Sequence, residues 1–279
     1  MVFCFRVDID SAYGMRNGVP NILDLLRKLD IPATFFVVTG GESGLFELVR
    51  YPRTNLPNAA AGVKLPASEI VRMLVAPYNF AVKHADTLRD AMKNGHEVGC
   101  HGWKHREWTR ALNRIDVNDR FSKITRVFNE TFGFAPLCFA APAFQTNLAV
   151  LAALDKFGFQ AAGDLDGNAP FHPIVGETHF RHVQVPVTLK DAYTRPLIEG
   201  LHFDGYSDAA IVREITKRIA EQEQQFGFSC FYCHDVFEGI NKFNLLKDVL
   251  TFVKLEGIET ATITQVAKNC KKEKQVNLQ

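Results

Sequence analysis

Phe3-Cys4-Phe5-Arg6-Val7-Asp8-Ile9-Asp10 opens the chain as an apolar run that finishes on two acids. Residues 3–9 read as a buried strand, and because side chains alternate along a strand, Asp8 and Asp10 share a face. Acids at the end of an apolar strand are costly unless they are paired or bound to metal. Downstream, Asn17-Gly18 opens a helix whose apolar positions Val19, Ile22, Leu23, Leu26 and Leu29 recur at helical spacing. Pro32 then leads into a second strand, residues 33–38, which runs into Gly40-Gly41. Strand, helix and strand in that order form a β-α-β unit and predict a parallel sheet.

The rhythm breaks over residues 42–80, where Pro52, Pro57, Pro66 and Pro77 interrupt apolar clusters that include Leu45, Phe46, Leu48, Val49, Met73, Leu74 and Val75. The stretch is too long for an ordinary connection and reads as an insertion with some helix in it. It is either a packed flap over the barrel or an amphipathic surface that meets lipid. Alternation then resumes, with helices over 81–94, 116–131, 147–157 and 243–253 and strands over 96–100, 137–141, 160–163, 183–189, 228–233 and 258–263. Ser207 can cap a further helix that carries Ile211, Ile215 and Ile219 on one face. The pattern predicts an α/β barrel in a single domain over 1–270, with a basic tail over 271–279 that reads as frayed.

Within Gly95-His96-Glu97-Val98-Gly99-Cys100-His101-Gly102-Trp103-Lys104-His105, the two terminal histidines stand four residues apart. Read as one helical turn, His101 and His105 face the same way and can both point at one ion. Such pairs also occur by chance on solvated helices, and a third ligand must come from elsewhere. Asp8, Asp10, His101, His105, Asp164 and His234 all fall at or just after the C-terminal end of a predicted strand. In a parallel barrel those ends meet at one mouth, where active sites form. A metal hydrolase needs three protein ligands and an open position, with a base and an acid beside them. Asp10, His101 and His105 supply the ligand types, and Asp8 and His234 remain for base and acid.

The 279 residues suffice for one large α/β barrel or two smaller domains. A hydrophobic fraction of 47%, a charged fraction of 23% and a net charge of +1 are those of an ordinary globular enzyme and argue against a nucleic-acid binder. Residues 1–8 lack a basic region followed by an apolar core, and no apolar run approaches the roughly 20 residues of a membrane span. A cytoplasmic protein with six mostly reduced cysteines is expected. Cys230-Phe231-Tyr232-Cys233-His234 matches a haem-attachment pattern but lies in a predicted buried strand, where Cys230, Tyr232 and His234 share a face and Cys233 points away. His96 reads as a structural residue, and His172, His179, His182 and His202 read as loop residues. Trp103 and Trp108 either wall a sugar pocket or simply pack.

Val7-Asp8-Ile9-Asp10, the His101/His105 pair and a late strand ending in His234 resemble the polysaccharide deacetylase family over about residues 3–265. The resemblance implies a distorted (β/α)7 barrel that removes acyl groups from amide nitrogen on sugars with a zinc-type ion, cobalt or manganese being alternatives. It implies Asp8 as base, Asp10, His101 and His105 as metal ligands, His234 as acid and Asp164 as the group that orients His234. Asn17-Gly18-Val19-Pro20, residues 94–99, residues 184–189 and His234-x-x-x-Glu238-Gly239 are similar to the branch acting on 4-deoxy-4-formamido-L-arabinose on undecaprenyl phosphate. That likeness implies formate release during lipid A modification, with peripheral contact at the inner membrane face. The family's Arg-x-Pro-Tyr motif is replaced around Ala140-Ala141-Pro142-Ala143, and Gln145 stands where the branch carries Arg. Gln supplies no guanidinium beside Asp8, whereas the Phe144 backbone N–H can still act as an oxyanion donor beside substrate. A deacetylase of another soluble carbohydrate or amide, and a non-catalytic sugar or lipid binder, are the alternatives.

Overall fold

The computed structural model describes residues 2–52 and 65–278. Its strands are β1 (Val2–Ile9), β2 (Thr34–Val37), β3 (Glu97–Cys100), β4 (Cys138–Phe139), β5 (Ala161–Ala162), β6 (His172–Val175), β7 (Thr178–His179), β8 (Val183–Gln184), β9 (Phe228–His234), β10 (Glu259–Ala261) and β11 (Glu273–Gln275). Its helices are α1 (Ala12–Leu29), α2 (Leu45–Arg50), α3 (Ala67–Val75), α4 (Phe80–Lys83), α5 (Ala85–Lys93), α6 (His105–Ala111), α7 (Val117–Phe132), α8 (Leu148–Lys156), α9 (Leu197–Phe203), α10 (Asp208–Phe226), α11 (Phe243–Leu255) and α12 (Ile263–Ala267).

The main sheet is parallel throughout and runs β10-β1-β2-β3-β4-β5-β8, with β9 also paired to β1. After β8 the chain returns to β9, where Leu189 bridges Phe231 and the Thr188 and Leu189 amides donate to the Cys230 carbonyl at 3.1 and 3.0 Å. The sheet therefore curls round to a seam of few bonds, a distorted (β/α)7 barrel as expected. β1 carries two different faces. Phe3, Phe5, Val7 and Ile9 join the core between sheet and helices, whereas Cys4 packs with Phe36, Cys138, Cys230 and Tyr232 inside the barrel. Alternation then puts Arg6 and Asp8 on the interior face, in register with Tyr232 and His234 of β9.

Several expected boundaries move. α1 begins at Ala12, well before Asn17-Gly18, because Ser11 caps it by accepting from the Gly14 amide at 2.9 Å. The helix expected over 81–94 divides at His84 into α4 and α5. The strand expected over 183–189 pairs only at Val183–Gln184 before the seam, and the last strand hands over to α12 through a capping box at Thr262. The tail expected to fray contains β11, which pairs in parallel with β6 from Glu273↔His172 to Gln275↔Ile174, so its backbone groups have partners. His172 and His179 lie in β6 and β7 and His202 in α9, while His182 is buried with Nδ1 2.7 Å from Asp155 Oδ1. Of those four only His182, in the bend before β8, is the loop residue expected.

Where the sequence reads as an insertion, the described residues hold α2 and α3; residues 53–64, with Pro57, lie outside them. Arg72 of α3 donates to both oxygens of Glu42 at 2.8 and 2.6 Å, and Arg16 of α1 donates to Glu69 at 2.6 Å, so α3 is tied to the barrel mouth. Phe46, Val49, Val71 and Val75 remain exposed on these two helices. Among the described residues no helix is long and apolar enough to cross a membrane.

Gly18 faces the turn after β9 so closely that a Cβ there would lie 1.7 Å from the Asp235 carbonyl oxygen. Alanine gains about 1 kcal/mol over glycine in a helix interior, but overpacking costs about 1–3 kcal/mol. Gly18→Ala is therefore expected to lower the stability measured by urea unfolding, against its helix propensity.

Candidate metal centre and active site

Three side chains from separate places converge at the mouth of the barrel. Asp10 follows β1, His101 follows β3 and His105 opens α6. Asp10 Oδ1 lies 3.3 Å from His101 Nε2, and Asp10 Oδ2 lies 3.7 Å from His105 Nε2. The two imidazoles are not on one helical turn, contrary to the sequence reading. Gly102, at φ 68°, turns the chain between them, and its carbonyl accepts from the Thr39 amide and hydroxyl at 3.3 and 2.9 Å.

The trio fits a small divalent cation. A tetrahedral ion with ligand bonds of about 2.0–2.1 Å holds its donor atoms roughly 3.3 Å apart. His101 Nδ1 lies 2.9 Å from the Ala140 carbonyl, which can only accept, so Nδ1 carries the hydrogen and Nε2 presents its lone pair. Asp10 Oδ1 is buried without a hydrogen-bond partner. Among the described residues this is the group of His, Cys, Asp and Glu donors close enough to share an ion.

Asp8 sits beside the trio, its Oδ2 3.9 Å from His101 Nε2. Its two oxygens accept from Arg6 Nε at 2.6 Å and Nη2 at 2.7 Å. Arg6 is closed in by the rings of Phe36, Phe144 and Tyr232, 5.0, 5.0 and 5.6 Å from its guanidinium carbon. The guanidinium missing from the β4 motif therefore comes from β1 itself. The sequence held the signal, since Arg6, Asp8 and Asp10 alternate onto one strand face. Gln145 does not take part: its Nε2 donates to the Thr109 carbonyl at 3.3 Å, and its own carbonyl accepts from Trp108 Nε1 at 2.9 Å. The Phe144 amide donates to the Ala141 carbonyl at 3.0 Å inside a 3-10 turn, so it is not the available oxyanion donor expected.

His234 stands across the mouth, Nε2 4.0 Å from Asp10 Oδ2. Its Nδ1 lies 3.2 Å from Glu199 Oε2 of α9, and its amide donates to Glu238 Oε2 at 2.9 Å. Burial works against the charged imidazole, but the Glu199 hydrogen bond and the charges of Asp10 and Glu199 outweigh it and lift its pKa to about 10. Burial raises Glu238 to about 8, and burial with the Asp10 charge raises Asp235 to about 7. Glu199, not Asp164, is thus the carboxylate on His234, and nothing in the sequence marked Glu199. Asp164 Oδ1 instead accepts from the Ala141 amide at 2.6 Å. Trp108 packs in the core, while the cavity between these groups, about 380 Å³, is also lined by Leu48, Leu65, Met73 and Tyr193.

A family model described as Polysaccharide deacetylase matches residues 8–162. The "Probable 4-deoxy-4-formamido-L-arabinose-phosphoundecaprenol deformylase" of Shewanella sediminis is 25% identical over 263 residues, covering 91% of this chain and 82% of the relative. The protein of the same description in Wigglesworthia glossinidia brevipalpis is 27% identical over 192 residues, covering 63% of this chain and 64% of the relative. A solved structure, the "putative polysaccharide deacetylase from Mycobacterium smegmatis", is similar in fold, with a TM-score of 0.67 and 17% identity over 100% of this chain and 94% of that one.

The His234 geometry sets a pH expectation for the metal-free protein. Its folded pKa lies above the ordinary histidine value, so protonated His234 stabilises the fold fully below about 6.5, and that contribution is lost as pH rises through about 10. Glu199→Gln removes the carboxylate that hydrogen-bonds His234 Nδ1. Histidine NMR titration is expected to show His234 losing its proton at lower pH in this variant, with the stability loss moving down alongside. An unchanged titration would refute the Glu199 assignment.

Proposed function

The chain belongs to the polysaccharide deacetylase family, and on that premise we propose that it is a divalent-metal-dependent hydrolase removing a formyl or acetyl group from the amide nitrogen of an amino sugar. The observation that carries the reading is the opposed pair around the candidate ligands: Asp8 gripped by Arg6 on one side, His234 held by Glu199 on the other. Asp8 takes the proton from the attacking water, and Arg6 keeps its two oxygens fixed for that transfer. His234, protonated through its contact with Glu199, gives its Nε2 proton to the departing amine. Asp10, His101 and His105 hold the ion, zinc in the first instance with cobalt or manganese as alternatives. When bound, the ion lowers the pKa of water and polarises the amide carbonyl.

The specific substrate we assign is 4-deoxy-4-formamido-L-arabinose on undecaprenyl phosphate, placing the chain in lipid A modification and polymyxin resistance. The two deformylase-named relatives support it. So does the cavity lining, where Leu48, Leu65 and Met73 belong to the same α2–α3 region that exposes Phe46, Val49, Val71 and Val75. That region suits peripheral contact with the inner membrane face. The Arg6–Asp8 pair also removes the reason for reading the chain as a binder that has lost its chemistry.

Metal-stripped protein reloaded with zinc, cobalt or manganese should release formate from the lipid-linked formamido sugar faster than acetate or formate from water-soluble amides. Faster turnover of the soluble amides would overturn the lipid-linked assignment. Asp8→Asn should still take up metal yet lose about 10²–10⁴-fold in turnover, and His105→Ala should fail to load metal. Wild-type turnover in Asp8→Asn would sink the base assignment.

A further inference from the structure

We propose that Asp164 is a positioning residue for His101, acting through the single peptide unit that joins Ala140 to Ala141. The inference rests on reading Asp10, His101 and His105 as the metal ligands. The Ala140 carbonyl accepts from His101 Nδ1 at 2.9 Å, and the Ala141 amide donates to Asp164 Oδ1 at 2.6 Å. Both bonds belong to one amide plane. A hydrogen bond from its nitrogen makes its oxygen a stronger acceptor, because the two polarise the amide in the same sense. Asp164 therefore strengthens the bond that keeps the hydrogen on Nδ1 and leaves Nε2 facing Asp10.

The surroundings hold this relay still. The Asp164 and Leu165 amides both donate to Gln184 Oε1, at 3.0 and 3.1 Å. The Ala140 amide donates to the carbonyl of Cys100, the residue before His101, at 2.9 Å. The Gly163 carbonyl accepts from Arg6 Nη1 at 2.8 Å. The loop after β5 is thus bonded to the arginine that grips Asp8 and, through one peptide, to the imidazole of His101. Base and ligand share a support. Asp164 is 5% exposed, and its Oδ2 has no partner. With Glu199 on His234, this peptide is the contact through which Asp164 reaches the site.

The test compares metal-free wild type, Asp164→Asn and Asp164→Ala, titrated with zinc against a competing chelator, with His101 ring-nitrogen NMR shifts recorded before zinc is added. Asp164→Ala should bind zinc about 10–100-fold more weakly, and its His101 shifts should move from the Nδ1–H pattern towards a mixture of tautomers. Asp164→Asn keeps an acceptor oxygen and should restore both readouts, which loss of stability alone would not do. Wild-type zinc affinity and unchanged His101 shifts in a folded Asp164→Ala would overturn the proposal. If that variant does not fold, the wild type decides. The Ala141 amide proton should shift together with the His101 Nδ1 proton when zinc binds, and an Ala141 resonance that stays put overturns the relay. Failure of the wild type to take up zinc would instead bring down the metal reading beneath it.

Discussion

Inside the barrel, one guanidinium holds both oxygens of one carboxylate, and the rest of the site depends on that contact. Asp8 is almost wholly buried, where an unpaired charge would be very costly. Arg6 lies two residues earlier on the same strand face and meets it with two parallel hydrogen bonds, the geometry for which Arg is suited and Lys is not. Three aromatic rings and the Gly163 carbonyl occupy the remaining sides of the guanidinium. A long, charged side chain is tolerated in this core because its neighbours inside the barrel include small residues, among them Cys4, Cys230 and Ala161.

The two walls of the mouth are electrostatically unlike. On the Arg6 side, a paired carboxylate lies next to His101. On the opposite side, Glu199, Glu238 and Asp235 crowd His234, and burial holds two of those acids towards their protonated forms. The proposed hydrolysis draws on that difference, since the water must lose a proton and the amine must gain one.

Much of this was legible in the residues. The alternation of apolar strand and amphipathic helix gave the parallel barrel, and the strand-end positions of Asp10, His101, His105 and His234 correctly anticipated their convergence. The helical-turn argument for His101 and His105 failed because Gly102 bends the chain between them, a backbone event that spacing alone does not reveal. Arg6 was readable from the period-two pattern on β1, but the family motif directed the search for a guanidinium to residues 140–145 instead. Glu199 was not readable. It comes from a short helix with no site motif, and only the fold brings it to His234. Asp164 was singled out as the group that orients His234, but its Oδ1 turns to the Ala141 amide, because a sequence position does not say which way a loop carboxylate points. Backbone pairing likewise took the tail into β11, which a run of lysines does not predict.

In the proposed reaction Asp10, His101 and His105 grip one divalent ion. Anomalous diffraction at the zinc edge from crystals of the zinc-loaded protein tests it most directly. A single strong peak is expected, bonded to an Asp10 carboxylate oxygen, His101 Nε2 and His105 Nε2 at about 2.0–2.2 Å, with a further position open towards the cavity. A zinc ion bound elsewhere, with these three side chains left uncoordinated, would contradict it.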